Sequence, residues 1–327
     1  MSAKEKILDL LIENKGSYIS GEELASTIGI SRAGIWKNIK KLQNEGHLID
    51  AVTNKGYMLK PSSDVFDEKS IRKHLEIPQD IVNFKILKET QSTNSVAYQM
   101  ALSGEPEGLV VLSRQQSLGR GHKGHTFYSP AGSGIYLSIL LRPSNLSSSK
   151  TGLITCMGAS AMCRALRDVS GKDVRIKWVN DLFLDGRKVC GILTEGALDL
   201  ESGLLGFSIT GCGVNLYPPK GGFPPELSDI AGSLFDDNVD DGGSRITAGF
   251  LNYFFGYYED FKKGNHEGFL NDYRQYSLII GKNVKFDIDK EEHTGKVIAI
   301  DDLCRLVIQE GGERPYLLEP GKVSIHF

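Results

Sequence analysis

Between residues 113 and 130 the chain reads S-R-Q-Q-S-L-G-R-G-H-K-G-H-T-F-Y-S-P. The apolar run Leu109-Val110-Val111-Leu112 precedes it, and Ile135-Tyr136-Leu137-Ser138-Ile139-Leu140-Leu141 follows. Short apolar runs of this kind read as buried strands, which makes the stretch between them a loop. The loop carries Arg114, Arg120, His122, Lys123 and His125 and no carboxylate, with Gly119, Gly121 and Gly124 interleaved. Glycines let a backbone approach an anion closely, and fixed cations neutralise it. Two readings stand at this point: a loop that closes over a phosphate-bearing ligand, or a solvated surface loop.

The rest of the chain bounds the answer. A length of 327 residues implies two or three domains. Apolar content of 40% and charged content of 24% fit a soluble globular protein. The net charge of −3 gives no global attraction to nucleic acid, so any DNA contact must come from a local patch. Cys156, Cys163, Cys190, Cys212 and Cys304 are scattered, odd in number and lack a paired metal spacing. They point to a reducing cytoplasm, with no disulfide framework and no metal site made by a side-chain cluster. The N-terminus does not read as a signal peptide, and no apolar stretch is long enough for a membrane span.

The first sixty residues show helical punctuation. Ile7, Leu8, Leu10, Leu11 and Ile12 recur at helical spacing, and Lys15-Gly16 ends that helix. Ser20 and Glu23 read as a capping box, and Gly29 closes the second helix. Ser31 caps a third, with Ile35, Ile39 and Leu42 on one face and Gly46 as its stop. From Ser31 to Asn44 there are basic residues and amides (Asn38, Gln43, Asn44) and no acid. A Thr53-to-Gly56 turn between short apolar segments then reads as a β-hairpin wing. The pattern predicts a winged helix-turn-helix that binds DNA through Ser20, Ser31, Arg32, Trp36, Lys37, Asn38, Lys40, Lys41 and Lys55. A basic-faced protein-interaction domain is the bland alternative. Pro61 to Asp64 is a linker by composition.

In the central region a helix is expected over 67–75, a strand over 82–87 and a helix over 95–102. Ser92, Thr93 and Asn94 fall at the strand-to-helix turn, where their side chains either cap the helix or line a pocket. Residues 151–169 read as a helix with Arg164 and Arg167 on its outer side. Val174 to Val179 is a strand ending in Asn180-Asp181, and Asp185-Gly186 turns the chain into a return strand from Arg187 to Glu195. That hairpin brings Lys177, Asp181 and Lys188 close together. An Asp beside a Lys here is either a surface ion pair or, in a pocket, a pair that binds magnesium and steadies a transferring phosphoryl or acyl-phosphate oxygen. A strand over 204–210 leads into Gly211-Cys212-Gly213-Val214-Asn215, then a Pro-, Gly- and Asp-rich loop to 244 and helices over 246–261 and 267–276. Strands and helices without βαβ alternation indicate α+β with a mixed sheet. Close-spaced short strands from 284 to 327 fit a small β-barrel, with Val323 to Phe327 as its closing strand.

Several separate motifs resemble those of the bifunctional biotin protein ligases that double as biotin operon repressors. They are Ser92-Thr93-Asn94; Gln116 with Gly119-Arg120-Gly121; Ser129-Pro130; Lys177-Trp178 with Asn180-Asp181; Lys188 with Gly191-Ile192-Leu193; and Gly213 with Asn215. The resemblance runs in order along essentially the whole chain. It implies a winged helix-turn-helix (1–63), a class II synthetase-like ligase domain (64–277) and an SH3-like barrel (278–327). It also implies a two-step reaction using biotin, ATP and magnesium, through biotinyl-5′-AMP, to a lysine of a biotin carboxyl carrier protein. On that basis Lys188, Arg120 and Asp181 are the catalytic residues. Ser92, Thr93, Asn94, Gln116, Arg120, Gly121, His122, Lys188 and Gly191 are at biotin. Gly119, Arg120, Lys177, Trp178, Asn180 and Asn215 are at the nucleotide, with magnesium arriving on ATP near Asn215. Operator DNA and an adenylate-bound homodimer are the other implied partners.

The chain departs from the family pattern at His122 and His125, where arginine is usual, and at Val179, where proline is usual. Imidazole is shorter than guanidinium and mostly neutral at pH 7, which implies looser adenylate retention unless Lys123 compensates. Val179 implies a looser turn, and Cys304 stands at a turn where glycine is common. Two other functions compete: a ligand sensor without ligase activity, and a lipoate-type protein ligase.

Overall fold

The computed structural model describes all residues except 1, 45, 65, 144, 145, 148, 149, 200–202, 289, 290, 313, 314, 321–324 and 327, together with the side chains of 123, 325 and 326. The chain divides into two units, 1–70 with 237–244, and 71–236 with 245–327.

In the first unit, Ser2 and Glu5 form a reciprocal capping box on α1 (Ala3–Glu13). Ser20 accepts the Glu23 amide at 3.0 Å to start α2 (Gly21–Ile28), and Gly29, left-handed at φ 77°, ends it. Ser31 accepts the Gly34 amide at 3.1 Å and starts α3 (Arg32–Asn44). Ile7, Leu11, Leu24, Ile35, Ile39 and Leu42 make a shared core with Ile49 and Leu59 of the wing, β1 (Ile49–Val52) and β2 (Gly56–Leu59). The segment 61–64 is packed onto the first unit. Ser63 is buried; its hydroxyl accepts the Leu48 amide at 3.1 Å and its carbonyl takes the Lys15 ammonium at 2.9 Å. Asp64 accepts the Gly243 amide at 3.0 Å. Ser and Asp suit loops because they bond backbone groups locally, and the same capacity lets them anchor a packed segment.

The second unit is built on a seven-stranded mixed sheet in the order β3-β4-β5-β9-β8-β7-β6. These are β3 (Asn83–Leu87), β4 (Leu109–Ser113), β5 (Gly134–Leu141), β6 (Arg175–Lys177), β7 (Asp181–Leu184), β8 (Arg187–Leu198) and β9 (Leu205–Asn215). Only β3 and β4 are parallel; α5 (Thr93–Leu102) makes that crossover. After the short α4 (Glu68–Arg72), α5 lies on one face of the sheet, and the buried α6 (Thr151–Ser170) on the other. Small residues along α6 allow a close approach: a Cβ on Gly158 would stand 3.3 Å from Thr210 and 3.5 Å from Ile192. Behind α6 come α7 (Gly242–Lys262) and α8 (Glu267–Gln275).

Arg164 is on the outer side of α6, away from the sheet, and that side is partly covered. Its guanidinium stacks 4.1 Å from the Tyr253 ring and pairs with Asp272 at 3.2 Å, between α7 and α8. Arg167 is also half-buried, donating to Val174 O at 2.8 Å. A helix period marks which residues are polar, and it does not show that another helix covers the polar face with acceptors.

The C-terminal strands are β10 (Asn283–Ile288), β11 (Glu291–Ile300), β12 (Leu306–Gln309), β13 (Tyr316–Leu318) and β14 (Ile325–His326). They form an antiparallel sheet in the order β13-β12-β11-β10-β14, curled into a half-barrel with a bulge between Val297 and Ala299. Of the expected closing strand, Ile325 and His326 pair with β10, and 323, 324 and 327 lie outside the described residues. Cys304 adopts the left-handed conformation (φ 58°) that explains why glycine suits this turn. Its carbonyl accepts the Trp178 indole N–H at 2.8 Å, tying the half-barrel to the end of β6.

Candidate active site

The site begins with strand register. Gly191, Gly213 and Tyr136 are cross-strand partners on β8, β9 and β5, and so are Leu193, Gly211 and Ser138 one step along. Partners of this kind face the same way. Three glycines therefore leave one patch of the sheet bare. A Cβ on Gly211 would meet Asn94 Oδ1 at 2.0 Å, and one on Gly213 would meet the Phe127 ring at 2.6 Å. The bare patch is the floor of a cavity of about 310 Å³.

One wall is polar and uncharged. Ser92 holds the N-cap position of α5, yet its side chain makes no capping bond. Gln116 does this instead: its Oε1 accepts the Thr93 amide at 2.9 Å and lies 3.2 Å from the Thr93 hydroxyl. Gln116 Nε2 donates to Ser129 Oγ at 3.0 Å. Ser138 donates to Asn94 Oδ1 at 2.6 Å and stands 2.8 Å from Thr93 Oγ1. Ser92, Thr93 and Asn94 are buried and line the cavity, so the pocket-lining alternative is the one the fold adopts.

The opposite end is charged. Lys188 Nζ lies 2.6 Å from Asp181 Oδ1, each side chain about a quarter exposed (29% and 25%). The contact is an ion pair and not an aligned hydrogen bond, since Asp181 Oδ1 has no donor in bonding geometry. The backbone of Lys188 is fixed from both sides. β7 flanks it, and on the other edge Lys188 N donates to Ile230 O at 2.8 Å while Gly232 N donates to Lys188 O at 2.9 Å. The turn at Val179 is not loose: its carbonyl accepts the Tyr273 hydroxyl at 2.8 Å, and Asn180 Nδ2 donates to Ile192 O at 2.7 Å. The Trp178–Val179 peptide is cis.

The roof is the basic loop, which is more regular than its composition suggests. Phe127 N donates to Gly119 O at 2.9 Å and Gly121 N to His125 O at 2.7 Å, a short ladder closed by a 3₁₀ turn at His122–Gly124. Arg120, Gly121, His122, His125, Thr126 and Phe127 line the cavity from above. The Phe127 ring lies over Gly213 and edge-on to Tyr136, with centroids 6.5 Å apart. Burial pushes the Tyr136 phenol up to about 12, so it stays neutral and donates to Pro130 O at 3.0 Å. Burial likewise raises the thiols of Cys190 and Cys212 beside the floor, which keeps them protonated and unreactive.

Of the residues expected in the site, Ser92, Thr93, Asn94, Gln116, Arg120, Gly121, His122, Asn180, Asp181, Lys188 and Gly191 line one cavity. Four stand behind it. Lys177 lies opposite Asp181 in register, with its ammonium 5.4 Å from the Phe183 ring centre. Trp178 is bonded to Cys304. Asn215 donates to Lys188 O at 3.4 Å, and Gly119 packs on Phe127 O and Ser129. Sequence reasoning missed Phe127. The only signal for Phe127 was an aromatic residue at the end of a glycine-rich loop. Among the described residues no group of three or more His, Cys, Asp or Glu side chains is placed to hold a metal ion.

A second candidate surface lies on α3. Arg32, Trp36, Lys37, Lys40 and Lys41 are exposed, and Trp36 is 56% exposed. Asn38 and Gln43 turn their amides to their own backbone, donating to Gly34 O at 2.9 Å and Ile49 O at 2.7 Å. Ser20 and Ser31 cap their helices, and the Lys55 ammonium lies 5.7 Å from the Tyr18 ring centre.

Residues 85–215 match the model of the biotin/lipoate A/B protein ligase family, and residues 4–58 match an HTH domain model. The chain is 30% identical over 321 residues to the bifunctional ligase/repressor BirA of Bacillus subtilis, covering 96% of each. It is 34% identical over 212 residues to that of Escherichia coli, covering 64% of this chain and 63% of the relative. The fold matches a biotin protein ligase from Aquifex aeolicus solved with biotin and ATP at a TM-score of 0.62 and 24% identity. That match covers 75% of this chain and 98% of the other.

Proposed function

The chain belongs to the biotin protein ligases that carry a DNA-binding domain, and from that premise we propose how its cavity performs the reaction. It is a biotin ligase with repressor activity: it forms biotinyl-5′-AMP from biotin and ATP, and passes biotin to a lysine of a carrier protein.

The division of chemistry within the cavity carries this reading. A neutral cyclic urea needs donors and acceptors without charge, and the Ser92, Thr93 and Gln116 wall offers these. The glycine floor and Phe127 take the apolar body of biotin. Its carboxylate then lies toward Lys188 and Arg120. In the first step a carboxylate oxygen attacks the α-phosphate of ATP, which arrives as its magnesium complex, and pyrophosphate leaves. Lys188 and Arg120 offset the charge on the carboxylate and phosphate oxygens as the bond forms. In the second step a carrier lysine amine attacks the carbonyl carbon of the mixed anhydride, and AMP leaves. Asp181, the carboxylate beside Lys188, orients the incoming lysine. Gly119, Lys177, Trp178, Asn180 and Asn215 support the nucleotide end. The flap from 113 to 130 shields the anhydride from water.

The α3 face reads operator DNA, with Lys37, Lys40 and Lys41 at phosphates and Arg32 and Trp36 nearest the bases. A homodimer induced by the adenylate, a cytoplasmic location and a class II synthetase-like label for the ligase sheet belong to the same proposal. So do an SH3-like label for the half-barrel and boundaries after residues 63 and 277. No described helix is long and apolar enough to cross a membrane. The test is transfer itself: with biotin and ATP, a biotin carboxyl carrier domain should gain the mass of one biotinyl group (biotin less water) on one lysine. A gain with lipoate instead would favour a lipoate-type ligase, and no gain with either would leave a sensor.

A further inference from the structure

Glu195 is on β8, outside the lining of the cavity, and takes no part in the chemistry above. Both of its carboxylate oxygens are engaged. Asn94 Nδ2 donates to Oε2 at 2.7 Å, and Arg120 Nη1 lies 3.2 Å from Oε1. The Asn94 bond makes Glu195 a fixed anchor, because Asn94 is buried (5% exposed) and its other end is held by Ser138. The connection therefore runs as one belt: Arg120 to Glu195, Asn94, Ser138, Thr93, Gln116 and Ser129. It leaves the flap at Arg120, crosses the sheet, and returns to the flap at Gln116 and Ser129.

We propose that Glu195 is a positioning residue that holds Arg120 at the cavity mouth and so keeps the flap shut over the adenylate between the two steps. The inference rests on the adenylate chemistry proposed above. Arg120 is 57% exposed and sits on a loop, so without a partner its long side chain would sample many rotamers. A guanidinium has five N–H donors in a fixed fork. Holding one arm at Glu195 leaves the others for an anionic oxygen in the cavity. The pair is largely solvated, so its effect is modest, up to about fivefold.

The experiment measures release of preformed biotinyl-AMP from the full-length protein during a chase with excess unlabelled biotin. Four forms are compared: unaltered, Glu195→Gln, Arg120→Ala and the double variant. Glu195→Gln should speed release by up to about fivefold when Arg120 is present and have no further effect when it is absent. Unchanged release in Glu195→Gln overturns the proposal. Equal acceleration in both backgrounds also overturns it, because that outcome marks a general loosening through Asn94. If the unaltered protein forms no adenylate, the functional reading falls with it. If it forms and holds adenylate but release ignores Glu195, only this proposal falls.

Discussion

Replacing Lys188 with methionine separates the structural and chemical roles of the ion pair at the charged end of the cavity. The ammonium is 2.6 Å from Asp181 Oδ1, and the two side chains are 29% and 25% exposed. Removing one partner of a fully buried pair costs about 3–5 kcal/mol, and exposed pairs are worth about 0–1 kcal/mol. With a quarter of each group in water, the expected loss of stability for Lys188→Met is about 1–2 kcal/mol, a drop of a few degrees in Tm. The catalytic loss should be far larger. Removing one fixed group that stabilises transition-state charge costs about 10²–10³ in kcat. Adding Asp181→Asn removes the unpaired carboxylate, so the double variant should regain most of the lost Tm and none of the lost adenylation. Thermal unfolding reads the first effect and single-turnover adenylate formation the second. Adenylation in Lys188→Met within about threefold of the unaltered protein, against the expected 10²–10³, would refute the role of this lysine.

Other outcomes follow from the same geometry. Gly211→Ala puts a Cβ 2.0 Å from Asn94 Oδ1, so it should displace Asn94, cost about 1–3 kcal/mol and abolish biotin binding by calorimetry. Gly206→Ala on the same strand, whose Cβ would meet nothing nearer than 3.5 Å, should stay within about 0.5 kcal/mol of the parent. His122→Arg restores a permanent cation to the cavity wall and should slow adenylate release about fivefold; an unchanged rate removes His122 as a cause of loose retention. Burial raises the Cys163 thiol from 9.0 to about 12 and the Tyr136 phenol from 10.0 to about 12. The unfolded chain therefore loses these protons first, so their stabilisation is complete below pH 9 and is lost as pH rises to 12. Urea midpoints should fall across that window, and less steeply in Cys163→Ala.

Local signals carried much of this fold. Ser20, Gly29 and Ser31 mark helix ends because capping is decided within three or four residues. Asp185 and Gly186 mark the β7–β8 turn because both adopt positive φ, at 49° and 78°. Contacts between distant residues were not legible. Asn94 and Glu195 are 101 positions apart, and nothing near either shows that they bond. The glycine floor needs the register of β5, β8 and β9, which fixes Gly191 and Gly213 as neighbours. The partners of Ser63, Asp64 and Arg164 were equally hidden, because polar residues suit both water and a partner, and only the tertiary structure decides which they meet.

The cavity joins biotin to the α-phosphate of ATP. The most direct measurement is exchange of labelled pyrophosphate into ATP by the purified protein with magnesium and no carrier protein. Exchange that depends on biotin, is not supported by lipoate, and disappears in Lys188→Met is the predicted result. Absence of biotin-dependent exchange, in protein that unfolds cooperatively, would contradict the account.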